Sequence, residues 1–157
     1  GLGDVYKRQI LKNAGIDCNE IEVKSNEVFF LRDNQLVFPV AAKEKLVKKS
    51  DGWALDIYVF SPRPLDDLLI EPNMPKLTLV VKAKECQLAI NDKAYTAAAQ
   101  NRHEATYKEL PLLQGWNKIS IKIGERDKNE FSGNFRCDNR NEFLSSLKVM
   151  FINPEAK

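Results

Sequence analysis

Several classes of site are excluded by what this sequence lacks. It has one histidine and three cysteines in 157 residues, and no two cysteines form a C-x-x-C pair. Structural zinc sites need clustered cysteine and histidine ligands at short spacing, so no zinc centre is predicted. No apolar run approaches the roughly 20 residues that a membrane-spanning helix requires. The sequence therefore predicts neither a zinc centre nor a spanning helix.

Recognisable catalytic motifs are also missing. There is no G-x-S-x-G elbow, no H-E-x-x-H motif and no P-loop. A serine or cysteine nucleophile would have to use His103 as its base, and only the fold could bring it to Ser61 or Cys137. Glycosidases need two carboxylates at a fixed separation, but adjacent acids such as Asp66 and Asp67 in a proline-rich stretch are usually solvated. We therefore predict no catalytic centre, and a small hydrolase is the third hypothesis behind two non-catalytic ones.

Charge of neither sign dominates the chain. The formal net charge is +2, without the strong basic excess that is typical of nucleic-acid-binding domains. We therefore predict no nucleic-acid partner. One local basic cluster is interrupted by acids and is interpreted as a solvated loop; its lysines are Lys43, Lys45, Lys48 and Lys49.

The first nine residues, GLGDVYKRQ, show no hydrophobic periodicity. They resemble the translation of a transposon-end adapter used to prepare DNA sequencing libraries, which points to a bacterial environmental sample. We therefore expect residues 1–9 to be a non-native tag and residues 10–157 to form a single domain. Because the native chain would then be cut open at or near Ile10, and FINPEAK ends just after a predicted strand, we expect this domain to be the C-terminal module of a longer protein.

What the sequence does contain is apolar and polar residues in alternation. In KISIKI, Ile119, Ile121 and Ile123 fall on one face and polar residues on the other, and the same pattern recurs in KLTLVVKA, ECQLAIN, FSGNFRC and LKVMFI. Such alternation indicates half-buried antiparallel strands with one face toward a core. Many short strands at near-regular spacing favour an all-β antiparallel β-sandwich of the jelly-roll type.

Turn residues divide these strands. Asp33-Asn34 and Asn91-Asp92 each separate two strand patterns and predict hairpins. The stretch SPRPLDDLLIEPNMP cannot be a central strand, because proline lacks the donor that a sheet requires. We interpret it as a long connection in which LDDLLI forms a helical turn, and NEFLSSL as a second such turn.

Two of the cysteines occupy inward positions of predicted strands. Cys86 and Cys137 are interpreted as buried small hydrophobic residues. The alternative is a disulfide between them if their strands are neighbours, which would suit a secreted or periplasmic protein.

The segment LPLLQGWNKISIKI, residues 110–123, resembles a recurring segment of galactose-binding-domain-like jelly rolls. In those modules a leucine-rich turn and Gly-Trp-Asn-Lys lead into a strand of alternating aliphatic residues, and residues 115–118 fill these positions. LTLVVKAKECQLAINDKAY resembles the family's hairpin, with Asn91-Asp92-Lys93 in place of Asn-Gly-Lys. FSGNFRC and LKVMFINPE resemble the closing strands, so the resemblance covers roughly residues 53–154. EVFFLRDNQLVFPV, which precedes it, supplies either further strands of the same sandwich or the edge of an upstream domain.

Modules of this family are often attached to bacterial polysaccharide-degrading enzymes. The resemblance therefore implies a non-catalytic, carbohydrate-binding accessory module that holds an upstream glycan-acting domain near polysaccharide. The alternative is a structural module without a ligand that braces an upstream domain. No cofactor is predicted apart from a structural calcium ion, which such jelly rolls often hold. The conceivable ligands Asp127, Asn129 and Glu130 fall short of the six to eight oxygens that calcium prefers.

A sugar site requires an aromatic face and a few polar groups that fix hydroxyl directions. Tyr95 and Tyr107 flank AAAQNRHEA, the loop with the densest mix of amide, cation and imidazole. An ordinary polar loop is the alternative, and Trp53 and Trp116 are interpreted as core residues. The candidate ligand-binding residues are Tyr95, Asn101, Arg102, His103 and Tyr107.

Overall fold

The alternating segments form two antiparallel sheets in a computed structural model, which describes residues 29–65 and 73–151. Sheet A contains, in spatial order, β1 (Phe30–Arg32), β2 (Gln35–Val37), β11 (Ser132–Arg136), β5 (Thr78–Lys82), β9 (Ala105–Tyr107) and β8 (Ala99–Gln100). Sheet B contains β12 (Lys148–Phe151), β4 (Gly52–Ser61), β10 (Gly115–Gly124), β6 (Cys86–Ile90) and β7 (Lys93–Tyr95), and β3 (Val47–Lys49) pairs with β4. The predicted all-β antiparallel sandwich is confirmed.

The inward faces of both sheets share one hydrophobic core. Ile119, Ile121 and Ile123 of β10 are at most 2% exposed, as their alternation predicted. Strand β5 differs from the prediction, because Thr78 and Val80 on its outward face are also buried. The reason is its central place in sheet A, where β11 and β9 flank it on both sides.

The segment EVFFLRDNQLVFPV supplies strands to this same sandwich. Strands β1 and β2 form a hairpin, and β2 pairs with β11, which confirms the first of the two alternatives. Phe29 and Phe38 pack edge to face with ring centroids 4.8 Å apart, and both lie close to Phe135 of β11. The hairpin therefore extends sheet A and closes one end of the core with aromatic rings.

Both predicted hairpin turns are present. The central residues all have positive φ, with 51° and 60° at Asp33-Asn34 and 51° and 70° at Asn91-Asp92. A two-residue type I′ turn requires this conformation at both positions, and asparagine and aspartate tolerate it better than other residues with a Cβ. An Asn-Asp pair therefore makes this turn without the glycine that such turns often use.

The helical content of the described residues is limited to short 3₁₀ helices. NEFLSSL forms one at Asn141–Ser146, as predicted, whereas LDDLLI, Asp66 and Asp67 lie outside the described residues, as does Cys18. The interpretation of the basic cluster as a loop was wrong. Its lysines lie on the 3₁₀ helix Val40–Lys45 and on β3, because Ala42 and Leu46 anchor the segment in the core.

None of the helices in the described part of the chain is long and apolar enough to cross a bilayer.

The two cysteines that the structure describes are both free thiols. Cys137 is fully buried after β11, as expected for a small hydrophobic residue, and Cys86 is half-buried at the beginning of β6. Burial raises the pKa of both thiols. The alternative of a disulfide between them required their strands to be neighbours, and β11 and β6 are not neighbours, so both thiols stay free in this structure.

The fully buried amide of Asn117 explains the Gly-Trp-Asn-Lys motif. Its Nδ2 donates to the carbonyls of Val59, Leu113 and Gly115, and its Oδ1 accepts from the Leu113 N–H at 2.8 Å. Its Oδ1 also accepts from Nδ2 of Asn91 at 2.9 Å. The amide thus ties the hairpin turn and the leucine-rich turn to β4, and Gly115 enters β10 with a φ of 97° that suits glycine.

We predict that Asn117→Leu lowers the free energy of unfolding by about 2–4 kcal/mol, because it leaves several buried backbone groups without partners. Urea unfolding followed by circular dichroism measures the effect. The matched control is Asn129→Leu at an exposed position, which should change the free energy by less than about 0.5 kcal/mol. Equal effects at the two sites would contradict this account of the motif.

Candidate functional site

A groove of about 680 Å³ opens at one end of the sandwich, where three connections meet. The end of β5 and the turn after it supply Lys82, Ala83 and Lys84. The turn between β8 and β9 supplies Arg102 and His103, and the connection from β10 to β11 supplies Arg126, Asp127 and Glu130. We call this the charged groove.

The turn between β8 and β9 is shaped by Asn101. Its Oδ1 accepts the backbone N–H groups of His103 at 2.7 Å and Glu104 at 2.9 Å, and its own N–H donates to the Glu104 carbonyl at 3.0 Å. Asparagine makes such side-chain to backbone turns readily. The amide of Asn101 therefore fixes the turn, and Arg102 and His103 lie exposed at its tip.

Gln100 attaches this turn to the opposite wall. Its Nε2 lies 3.3 Å from the Lys84 carbonyl and 3.2 Å from the Glu104 carbonyl. The first contact crosses from β8 to the connection between β5 and β6. This contact joins two walls of the charged groove.

Asp127 holds the third wall through its carboxylate. Oδ1 accepts the Lys84 N–H at 2.9 Å, and Oδ2 accepts those of Glu85 at 3.1 Å and Gly124 at 3.0 Å. The approach at Gly124 is close, since a Cβ there would lie 2.8 Å from Oδ2. Asp127 is therefore a structural clasp between two connections.

This clasp bears on the calcium prediction. Both oxygens of Asp127 already accept backbone N–H groups, while Asn129 and Glu130 are exposed. Among the residues that the structure describes, no group of three or more acidic, histidine or cysteine side chains could hold a metal ion. The structural calcium stays a prediction, and Asp127 is not free to serve it in this conformation.

Positive charge predominates in the charged groove. Lys82, Lys84, Arg102 and Arg126 all expose their side chains. The two carboxylates are those of Glu130, which is exposed, and Asp127, which is engaged by three N–H groups. No tryptophan, tyrosine or phenylalanine ring is among the described residues that line it. The groove can therefore make ionic and hydrogen-bonding contacts but offers no stacking platform.

The structure brings together only part of the predicted site. Arg102 and His103 line the charged groove, and Asn101 shapes the turn that carries them. Tyr95 on β7 is half-buried against the core, with Lys93 Nζ 5.5 Å from its ring centroid, and does not line the groove.

Tyr107 lies in the core, at 2% exposure. Its hydroxyl donates to the Cys86 carbonyl at 3.3 Å and so connects sheet A to sheet B. Because burial removes solvation from the phenolate, the pKa of Tyr107 is raised well above its ordinary value of 10.0. In this conformation the ring is not available to stack on a sugar.

The two tryptophans pack largely as predicted. Trp116 is 6% exposed and packs edge to face on Phe60. Trp53 is partly buried against the core, where its Nε1 donates to the Glu125 carbonyl at 3.1 Å. Lys128 Nζ lies 4.0 Å from its ring centroid, so the exposed face of Trp53 is covered by a cation.

The two nucleophiles considered for a hydrolase are both buried. Ser61 is 0% exposed and its Oγ donates to the Arg63 carbonyl at 2.6 Å. Cys137 is 0% exposed and its thiol pKa is raised by burial. His103 is exposed at the tip of its turn. The hydrolase hypothesis requires a nucleophile and a base within hydrogen-bond reach of each other. The structure instead has His103 on the surface and both Ser61 and Cys137 in the interior.

Sequence reasoning missed three cations of the groove, Lys82, Lys84 and Arg126. The alternation in β5 does place Lys82 on the outward face, and Lys84 follows the strand. Nothing in the order of residues, however, indicates that these positions meet Arg102 and Arg126 from distant connections.

Comparisons with known proteins give little beyond the fold. No family model and no curated protein sequence matches the chain. Among solved structures, the chain is similar to "a family 35 carbohydrate binding module from an environmental isolate" at 13% identity. The match covers 87% of each chain with a TM-score of 0.34, which is too low to equate individual positions.

The buried phenol predicts a stability loss in alkali. In the unfolded chain Tyr107 ionises near its ordinary pKa of 10.0, whereas the folded protein keeps it protonated. The raised pKa therefore stabilises the folded protein fully below the ordinary pKa of 10.0, and this contribution is lost as the pH rises above 10.0. We predict that the free energy of unfolding falls less steeply between about pH 9 and about pH 11 in Tyr107→Phe than in the wild type. Urea unfolding across this range measures it, and identical slopes would contradict the assignment.

Proposed function

We propose that this chain is a non-catalytic accessory module that binds carbohydrate in the charged groove. The proposal depends chiefly on one observation: two side chains predicted from the sequence, Arg102 and His103, line an open groove of about 680 Å³. Binding sites for small ligands typically have volumes of a few hundred to about 1,000 Å³. Asn101, Gln100 and Asp127 hold the walls by hydrogen bonds, so the groove needs little ordering before a ligand binds.

The groove chemistry suits sugar hydroxyl groups, which both donate and accept hydrogen bonds. Lysine and arginine side chains donate, the Glu130 carboxylate accepts, and His103 can do either when neutral. Tyr107 takes no part in this proposal because it is buried, and Tyr95 lies outside the groove. The binding residues that we propose are Arg102 and His103, supported by Asn101 and joined by Lys82, Lys84, Arg126 and Glu130.

We further propose that the sandwich is a galactose-binding-domain-like jelly roll. The resemblance of residues 115–118 supports this, and Asn117 and Gly115 give that motif a physical role. In a longer bacterial protein the module would hold an upstream glycan-acting domain near polysaccharide and raise its effective concentration there.

A second candidate function is structural bracing of an upstream domain without a ligand. Three large hydrophobic side chains of the described residues favour it, since Leu31 is 54% exposed, Val40 81% and Leu113 61%. Scattered exposed hydrophobic residues are common on protein surfaces, whereas a contiguous patch marks an interface. The charged groove is the more specific feature, so bracing is the alternative.

Affinity electrophoresis against a panel of soluble neutral and acidic polysaccharides tests the proposed function. We expect at least one polysaccharide to retard the protein, and Arg102→Ala with His103→Ala to weaken binding by about tenfold or more. Both residues lie exposed at the tip of a turn, so far-ultraviolet circular dichroism should be unchanged.

Lys108→Ala is the control, since Lys108 is an exposed cation that does not line the groove. It should leave the retardation unchanged. If no polysaccharide retards the wild type, carbohydrate binding is wrong and bracing becomes the better account. If both variants weaken binding equally, the site lies elsewhere.

A further inference from the structure

We infer that the ligand of the charged groove is an acidic polysaccharide, whose carboxylate or sulfate oxyanions bind Lys82, Lys84, Arg102 and Arg126. This inference rests on the proposed carbohydrate-binding function and specifies its ligand class. It follows from the charge, exposure and pairing of the groove residues.

Among the described residues, the four groove cations have no ionic partner, and unlike other unpaired lysines such as Lys49 and Lys108 they line one groove. Elsewhere on the described surface, charge pairs join Lys48 to Glu125, Lys76 to Glu109, Lys118 to Asp92, Lys122 to Asp51 and Arg140 to Glu142. The groove thus collects cations whose charge the protein itself leaves uncompensated.

Asp127 does not cancel this charge by direct pairing. Its two oxygens accept three backbone N–H groups, so its carboxylate faces the connections that it clasps. Glu130 is the other carboxylate of the groove, against four cations. A concave surface with a predominance of one sign concentrates ligands of the opposite charge and accelerates their association.

The types of cation match oxyanions of sugars. The guanidinium groups of Arg102 and Arg126 present planar pairs of donors that fit a carboxylate or a sulfate. Lys82 and Lys84 add compact charges along the same groove, and Glu130 can accept from neighbouring hydroxyl groups. Since the groove offers no tryptophan, tyrosine or phenylalanine ring, a neutral sugar would lack the stacking that usually binds it.

The same features favour a polysaccharide over a nucleic acid. Proteins that bind single strands stack bases on aromatic side chains, and the described lining of the groove has no such ring apart from the imidazole of His103. The chain's formal net charge of +2 is also too small for an extended basic surface. A nucleic acid therefore enters the test as a competitor.

Two matched pairs of polysaccharides separate the effect of the ligand's charge from the effect of its sugar backbone. One pair is polygalacturonate and its methyl ester; the other is carrageenan and the same galactan after desulfation. Isothermal titration calorimetry of the whole chain, with EDTA present to prevent bridging by divalent cations, gives each dissociation constant. A single-stranded oligonucleotide serves as a polyanion that is not a sugar.

The matched variants have the same net charge. Lys84→Glu with Arg102→Glu reverses two groove cations, and Lys49→Glu with Lys108→Glu reverses two exposed lysines elsewhere. If circular dichroism shows that the first groove variant is not folded, Lys82→Glu with Arg126→Glu replaces it at the same net charge. Any general effect of net charge is therefore measured separately from the effect of the groove.

We expect at least one acidic member to bind about tenfold or more tightly than its neutral partner. The pair that shows the difference identifies carboxylate or sulfate as the source of the oxyanion. The groove variant should lose about tenfold or more in affinity, while the control should lose less than about threefold. Affinity should also fall as salt is raised.

Other results would overturn the inference in distinguishable ways. If neutral and acidic members bind equally and the groove variant weakens both, the acidic ligand is wrong while carbohydrate binding stands. If no polysaccharide binds, the proposed function fails and the inference fails with it. If the oligonucleotide binds as tightly as the acidic sugars through the same residues, the groove binds polyanions in general. If groove and control variants lose affinity alike, the groove is not the site.

Discussion

The carboxylate of Asp127 is the contact on which the charged groove depends. Strand β5 of sheet A continues into β6 of sheet B, and β10 of sheet B continues into β11 of sheet A, so two crossovers lie at the same end of the sandwich. Asp127 accepts N–H groups of Lys84, Glu85 and Gly124 and thereby joins the two. Such crossovers leave backbone donors outside the ladders, and buried or half-buried donors need partners. Asp127 supplies the partners for Lys84 and Glu85, and it shares the N–H of Gly124 at the end of β10 with the Glu85 carbonyl.

The clasp also sets the electrostatics of the groove. Because the Asp127 carboxylate accepts three backbone N–H groups, it is poorly placed to pair with lysine or arginine. The guanidinium groups of Arg102 and Arg126 can therefore bind a ligand. Gln100 and Asn101 complete the arrangement by holding the turn that presents Arg102. At the other end of β10 the buried amide of Asn117 plays the equivalent structural role for the leucine-rich turn. Two polar contacts thus hold the two ends of β10, a ten-residue central strand of sheet B, in place.

The sequence predicted local features better than the assembly of the site. Alternation in KISIKI correctly predicted the inward isoleucines of β10, and Asp33-Asn34 correctly predicted a hairpin, because both depend on neighbouring residues. Tyr107 was placed beside a ligand because it flanks a polar loop, whereas its pairing with Leu79 turns it into the core. The groove could not be predicted, because Lys84, Arg102 and Arg126 come together only when two sheets and three connections are assembled.

The most direct test of this account is a ¹H–¹⁵N correlation spectrum recorded during titration with oligosaccharides of polygalacturonate and of carrageenan. We predict saturable shifts of the backbone amides of Lys84, Arg102, His103 and Arg126, together with their neighbours in the three connections. The spectrum of the remaining sandwich should stay largely unchanged, because hydrogen bonds already join the walls of the groove in the free protein. Saturable shifts that cluster around the exposed hydrophobic side chains, with none in the groove, would contradict the account.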